Sequence, residues 1–206
     1  MRGRRPGKQR GFTLIEVVVS LALMGMASLA MFLGWKAGLT AWVSTQQFVG
    51  EQQAARSVVN TIARSLRMIG YLYNGTGAAV IYGGPNDVAF YADIDGDGTI
   101  ECYHYYLSNG VVYQAIVQGP GCASTILTAP GTPITASGEA APLTVQSLTF
   151  QYFAAANQGG AQLVAPLNGN DPFLVRRIDI AAQVKGTASE GAPFEVDAQA
   201  VVRAGR

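Results

Sequence analysis

Gly11-Phe12-Thr13-Leu14-Ile15-Glu16 opens the stretch that decides the fold, and residues 17–35 continue it without a single charged side chain. At about 1.5 Å per residue, a helix over those positions spans roughly the hydrocarbon core of a bilayer. Just ahead of it lie Arg2, Arg4, Arg5, Lys8 and Arg10, five of the 14 basic residues in a chain of 206. A basic leader before an apolar span stays cytoplasmic, so the chain beyond the span is expected outside the inner membrane. Beyond the leader, nine basic side chains face 13 acidic ones, a net charge of −4. That mildly acidic body offers no basic patch for nucleic acid. Only 13% of residues are charged and 49% are apolar, which excludes a charge-rich disordered chain. The 25 Gly and 9 Pro imply many turns and exclude an all-helical bundle. Two cysteines and one histidine exclude a Cys/His zinc site of the usual kind.

Three readings compete for the amino terminus. A secretory signal peptide has the same basic and apolar regions, and Ser28-Leu29-Ala30 offers it a small-x-small cleavage site. A plain membrane anchor is the second reading. Glu16 separates both from the third, because an ionisable group near the start of a span is costly and usually has a partner. Neither a signal peptide nor an anchor needs a carboxylate there. Gly11-Phe12-Thr13-Leu14-Ile15-Glu16 resembles the type III signal of type IV pilins and type II secretion pseudopilins. The resemblance implies cleavage between Gly11 and Phe12 by prepilin peptidase, with N-methylation of Phe12. It also implies that Glu16, fifth in the mature chain, meets the amino-terminal ammonium of a neighbouring subunit. Major pilins carry a proline where Leu33 stands, whereas residues 12–84 hold none, which argues against the major subunit. Gly25, Ala27, Ser28 and Ala30 either let a neighbouring helix approach closely or merely fill the span.

The helical pattern outlasts the span. Phe48, Ala55, Val58 or Val59, Ile62, Leu66 and Ile69 recur at three- and four-residue steps, with Glu51, Arg56, Arg64 and Arg67 mostly off the stripe. Gly70 is the expected stop. One helix from Phe12 to about Met68 would be on the order of 85 Å long. Its first half suits lipid or a filament core, its second the surface of a globular head. The expected fold is therefore α+β, a pilin-like ladle with its long helix packed on an antiparallel sheet. The expected parts are a leader over 1–11, a transmembrane or filament-core helix over 12–35, its amphipathic continuation over 36–70 and a β-rich head over 71–206. Strands are expected near 79–82, 88–92, 100–107, 111–117, 143–153, 174–184 and 194–202. Asn109-Gly110 marks a hairpin turn, and residues 119–142 and 157–172 read as surface loops. The layout of the head resembles PilW-type minor pilins and, more distantly, the J-type minor pseudopilin. Arg176 and Arg177 read as the solvated face of an edge strand.

Asp93, Asp95 and Asp97 alternate before Gly98, with Thr99 and Glu101 beyond. Alternating carboxylates on a tight turn can converge on one calcium ion, with a Thr99 carbonyl and Glu101 as further oxygens. The spacing departs from an EF-hand, because the twelfth position is His104. A polar turn with no ion is the plainer reading, but four acids within nine residues repel one another unless something neutralises them. Cys102 and Cys122 are expected to form a disulfide in an oxidising compartment, the alternative being two buried thiols. His104 has no partner that sequence can place beside it and reads as a strand residue. Asn74-Gly75-Thr76 fits a glycosylation triplet but reads as a loop.

Together these features point to a structural subunit rather than an enzyme: a minor pilin that primes or caps type IV pilus assembly. Its expected partners are prepilin peptidase, other minor and major pilins, and the inner-membrane assembly platform. The alternatives are a minor pseudopilin of a type II secretion tip complex and a tip adhesin or DNA-uptake pilin. A secreted hydrolytic domain lacks any visible Ser/His/Asp arrangement.

Overall fold

The computed structural model describes residues 12–73, 77–135, 144–155, 160–184 and 193–202. The leader with Gly11 and the Asn74-Gly75-Thr76 triplet lie outside the described residues. The chain divides into two compact units, Met1–Gln46 and Gln47–Arg206. Helix α1, Leu14–Leu66, begins in the first and ends in the second.

Within the first unit every described residue is exposed, including Phe32, Trp35 and Trp42. The helix is long and apolar enough there to cross a membrane. Its hydroxyls stay inside the helix: Ser20, Ser28, Thr40 and Thr45 donate to the carbonyl oxygens of Glu16, Met24, Lys36 and Ala41. A polar side chain satisfied by its own backbone is tolerated where no water is available.

In the second unit the periodic stripe works as the sequence predicts. Ala55, Val58, Val59, Ile62, Leu66 and Ile69 are buried, while Arg56, Arg64 and Arg67 are exposed. Gly70 ends the helical run at φ 75°, a left-handed conformation that suits glycine. Its N–H donates to the Tyr91 carbonyl, tying the helix end to the sheet.

Among the described residues nine strands come next: β1 Val80–Gly83, β2 Asp87–Ala92, β3 Glu101–Ser108, β4 Val111–Gln118, β5 Thr132–Pro133, β6 Val145–Ala154, β7 Gln162–Leu163, β8 Val175–Val184 and β9 Phe194–Val201. A one-turn helix α2, Asp171–Leu174, precedes β8. All pairings are antiparallel, as expected. The strands form two sheets, however, where one was expected: β1-β2-β3-β4-β5 and β7-β6-β8-β9. The divide falls between β5 and β6. One core contains residues of α1 and both sheets, among them Ile62, Phe90, Tyr105, Tyr152 and Ile180.

Polar side chains bridge these layers. The buried Tyr105 hydroxyl donates to Ser65 Oγ at 2.8 Å and accepts from Gln114 Nε2 at 2.9 Å, joining α1 to β3 and β4. Tyr152 donates to the Gly84 carbonyl at 2.8 Å, fastening the β1–β2 turn to the second sheet.

The loops are less external than expected. Residues 119–135 hold two short 3-10 turns, Cys122–Ser124 and Ile126–Thr128, and Ile126 is fully buried beneath the first sheet with Ala89, Cys102, Ala115 and Cys122. Leu167 lies in the main core. Strands β5 and β7 are two residues each, too short for an alternating pattern to reveal. Arg176 and Arg177 sit on β8, an inner strand rather than an edge. Arg177 stacks over the ring of Phe153 on β6 at 3.9 Å and pairs along its own strand with Asp179 at 3.1 Å.

Ile62→Ala empties a fully buried site on α1. It is expected to lower stability by about 2–5 kcal/mol in urea unfolding of the detergent-solubilised chain, followed by near-ultraviolet circular dichroism. Burial pushes the Tyr105 hydroxyl up from 10.0 to about 12, against the bond to Ser65 that lowers it. Burial raises Tyr103 and Tyr152 in the same direction. The folded state thus keeps protons that the unfolded state loses. This contribution is intact below pH 10 and disappears as pH rises through about 12. Stability measured against pH should fall across that window by about 1.4 kcal/mol per unit for Tyr105 alone.

Candidate functional site

Thr13 sits immediately before α1, and Glu16 is the third residue of the helix. The Glu16 Oε2 accepts from the Thr13 N–H and from the Thr13 hydroxyl, both at 3.1 Å, while Thr13 Oγ1 accepts from the Glu16 N–H at 3.4 Å. This reciprocal pair is a capping box, which satisfies donors that a helix start leaves orphaned. Sequence reasoning singled out Glu16 and passed over Thr13. The Thr-x-x-Glu spacing before an apolar run was the available signal. Phe12, the expected first mature residue, is 86% exposed.

Residues 6–32, which include Gly11, Phe12 and Glu16, match the family Prokaryotic N-terminal methylation motif. The match spans part of the leader and the first part of α1. Among solved structures, this chain is similar to the type IV-like pilin TTHA1219 from Thermus thermophilus, with 16% identity and a TM-score of 0.46. The match covers 70% of this chain and 90% of that one. No curated protein matches the chain.

The second candidate site is the turn between β2 and β3. Asp93 is fully buried, and its two oxygens accept from the N–H groups of Gly96 at 2.7 Å and Gly98 at 3.0 Å. Gly96 and Gly98 have φ of 80° and 84°, so the turn needs both glycines. Asp95 Oδ1 accepts from the Asp97 N–H at 3.2 Å, and Asp97 Oδ1 accepts from the Thr99 N–H at 2.6 Å. These bonds wind the turn so that Asp93, Asp95 and Glu101 bring carboxylate oxygens within 4.8 Å of one another. Asp97, also expected at this site, is not among the three carboxylates that converge, and both it and Thr99 are exposed. Glu101 is 1% exposed, and Tyr103 donates to its Oε2 at 3.5 Å. Burial first, then the charges of Asp95, Asp97 and Asp93, push its carboxyl above the ordinary range, against a backbone hydrogen bond that lowers it.

Beside Glu101, Cys102 forms a disulfide with Cys122, their Cα atoms 5.8 Å apart. It fastens the first 3-10 turn to β3. On the same strand His104 does have a partner: Asp87 Oδ2 lies 3.3 Å from its Nε2. The antiparallel register of β2 on β3 supplies that carboxylate from 17 residues away, which sequence spacing cannot show.

Replacing Cys102 and Cys122 together by Ala removes a cross-link between residues 20 apart. The expected loss is about 3 kcal/mol of unfolding free energy, read as a lower urea midpoint with an intact chain as reference.

Proposed function

We propose that this chain is a minor pilin, a membrane-inserted subunit that primes or caps a type IV pilus. The observation that carries the reading is the pairing of the methylation motif with a helix whose apolar side chains are exposed through the whole first unit. Such a surface has to be covered by lipid before assembly and by neighbouring helices after it. The basic leader supports an amino terminus in the cytoplasm and a head in the periplasm, where a disulfide is at home. Cleavage after Gly11 would free the Phe12 ammonium, and Glu16 would pair with that group on an adjacent subunit. The absence of proline from residues 12–84 supports the minor rather than the major role.

Intact mass and amino-terminal peptide mapping of the protein from its native membrane test this. The mature chain is expected to start at N-methyl-Phe12. A chain starting at Met31 would mean release by signal peptidase and would overturn the reading. Glu16→Ala is expected to leave processing intact while removing the subunit from sheared filaments, and the wild-type subunit should be far scarcer there than the major one.

A further inference from the structure

We propose that Asp93, Asp95 and Glu101 hold a calcium ion that closes the β2–β3 turn. Two observations stand behind this, and the first is convergence. Three carboxylates from one turn share a space 4.8 Å across, and two of them are buried. The second is an orphan: Glu101 Oε1 is buried and has no hydrogen-bond partner among the described residues. A buried carboxylate oxygen left unpartnered costs more than almost any other polar defect. Neither the His104–Asp87 nor the Arg177–Asp179 ion pair involves this turn.

The donor chemistry selects the ion. All three groups are hard carboxylate oxygens, with no thiolate or imidazole among them, which suits calcium or magnesium rather than zinc. Three carboxylates on one turn suit calcium better, because magnesium demands near-ideal octahedral geometry and is usually bound through one or two carboxylates with several waters kept. The turn is also prepared for the ion. Gly96 and Gly98 N–H groups fix the Asp93 carboxylate, and Asp95 stands exposed at the mouth where a cation would enter with its remaining waters. Asp97 shapes the turn through the Thr99 N–H.

The position of the site gives it consequences. Glu101 precedes Cys102 of the disulfide. Near the end of β2, Tyr91 stacks on Tyr73 at 4.6 Å and accepts from the Gly70 N–H at the end of the α1 run. A filled site would therefore stiffen the junction where the chain leaves the helix and enters the sheet. Calcium at extracellular concentrations would complete the head only outside the cytoplasm.

The test uses the full-length chain in detergent, titrated with terbium and then with calcium or magnesium chloride. Tyr103, whose hydroxyl reaches Glu101, should sensitise bound terbium. The expected result is saturable terbium luminescence displaced by calcium in the range of about 10⁻⁴–10⁻³ M and not by equal magnesium. Calcium should also raise the thermal midpoint of the head by several degrees. Asp95→Asn, at an exposed position that leaves the fold intact, should weaken calcium by at least about tenfold. Glu101→Gln should abolish the calcium-dependent shift. No saturable signal from a folded chain, equal displacement by magnesium, or an Asp95→Asn chain that binds as the wild type does would each overturn the proposal. So would a Glu101→Gln chain more stable than a wild type indifferent to calcium, because Glu101 would then be held as the neutral acid.

Discussion

One constraint governs the molecule: a single helix has to satisfy two solvents. From Leu14 to beyond Trp42 its apolar side chains are exposed, and from Ala54 onward the stripe lies in a core. A helix is the structure that can do this, because its backbone hydrogen bonds are internal and survive any surroundings. The return of Ser20, Ser28, Thr40 and Thr45 to their own backbone extends the same self-sufficiency to the side chains. The exposed half can therefore pass from lipid to a bundle of neighbouring helices with these hydroxyls already satisfied.

The buried half asks for a different partner, and the head is built to supply it. Two antiparallel sheets and the end of α1 share one core, so each element buries an apolar face that it could not cover alone. Position within that core is set by the polar bridges. The chain Gln114 to Tyr105 to Ser65 permits one depth and one rotation of the helix against β3 and β4, since any other leaves a buried hydroxyl unpaired. Tyr152 performs the same service between the second sheet and the turn at Gly84.

Much of this was legible in the residues because it rests on local periodicity. The stripe from Ala55 to Ile69, the stop at Gly70 and the Asn109-Gly110 hairpin are all statements about neighbours in sequence. The division into two sheets was not legible, because it depends on which strand edges meet after a Pro- and Gly-rich break. The Asp87–His104 pair was hidden for a similar reason: strand register creates it. In the acidic turn the spacing announced four carboxylates, but only the wound backbone separates the three that converge from Asp97, which turns back to the chain. The Thr13–Glu16 capping box was legible and passed over, because attention fell on the charge of Glu16 rather than on its spacing.

Glu16 and Glu101 follow the same physical rule in different surroundings. A carboxylate removed from bulk water needs donors or positive charge close by. At the start of α1 the chain itself supplies part of this, the Thr13 N–H and hydroxyl together with the positive end of the helix dipole. That is enough to hold Glu16 oriented at the head of the span while leaving it able to take a further partner, as assembly on the proposed reading requires. In the head no such donor reaches Glu101 Oε1, and the adjacent charges are of the same sign. The chain has fixed Asp93 with two N–H groups and left the third vertex unsatisfied, which is the arrangement a cation completes. On the two proposals, an acid that looks misplaced in the isolated chain would in both places take a positive partner from outside it: a neighbouring subunit's ammonium at one end, a metal ion at the other.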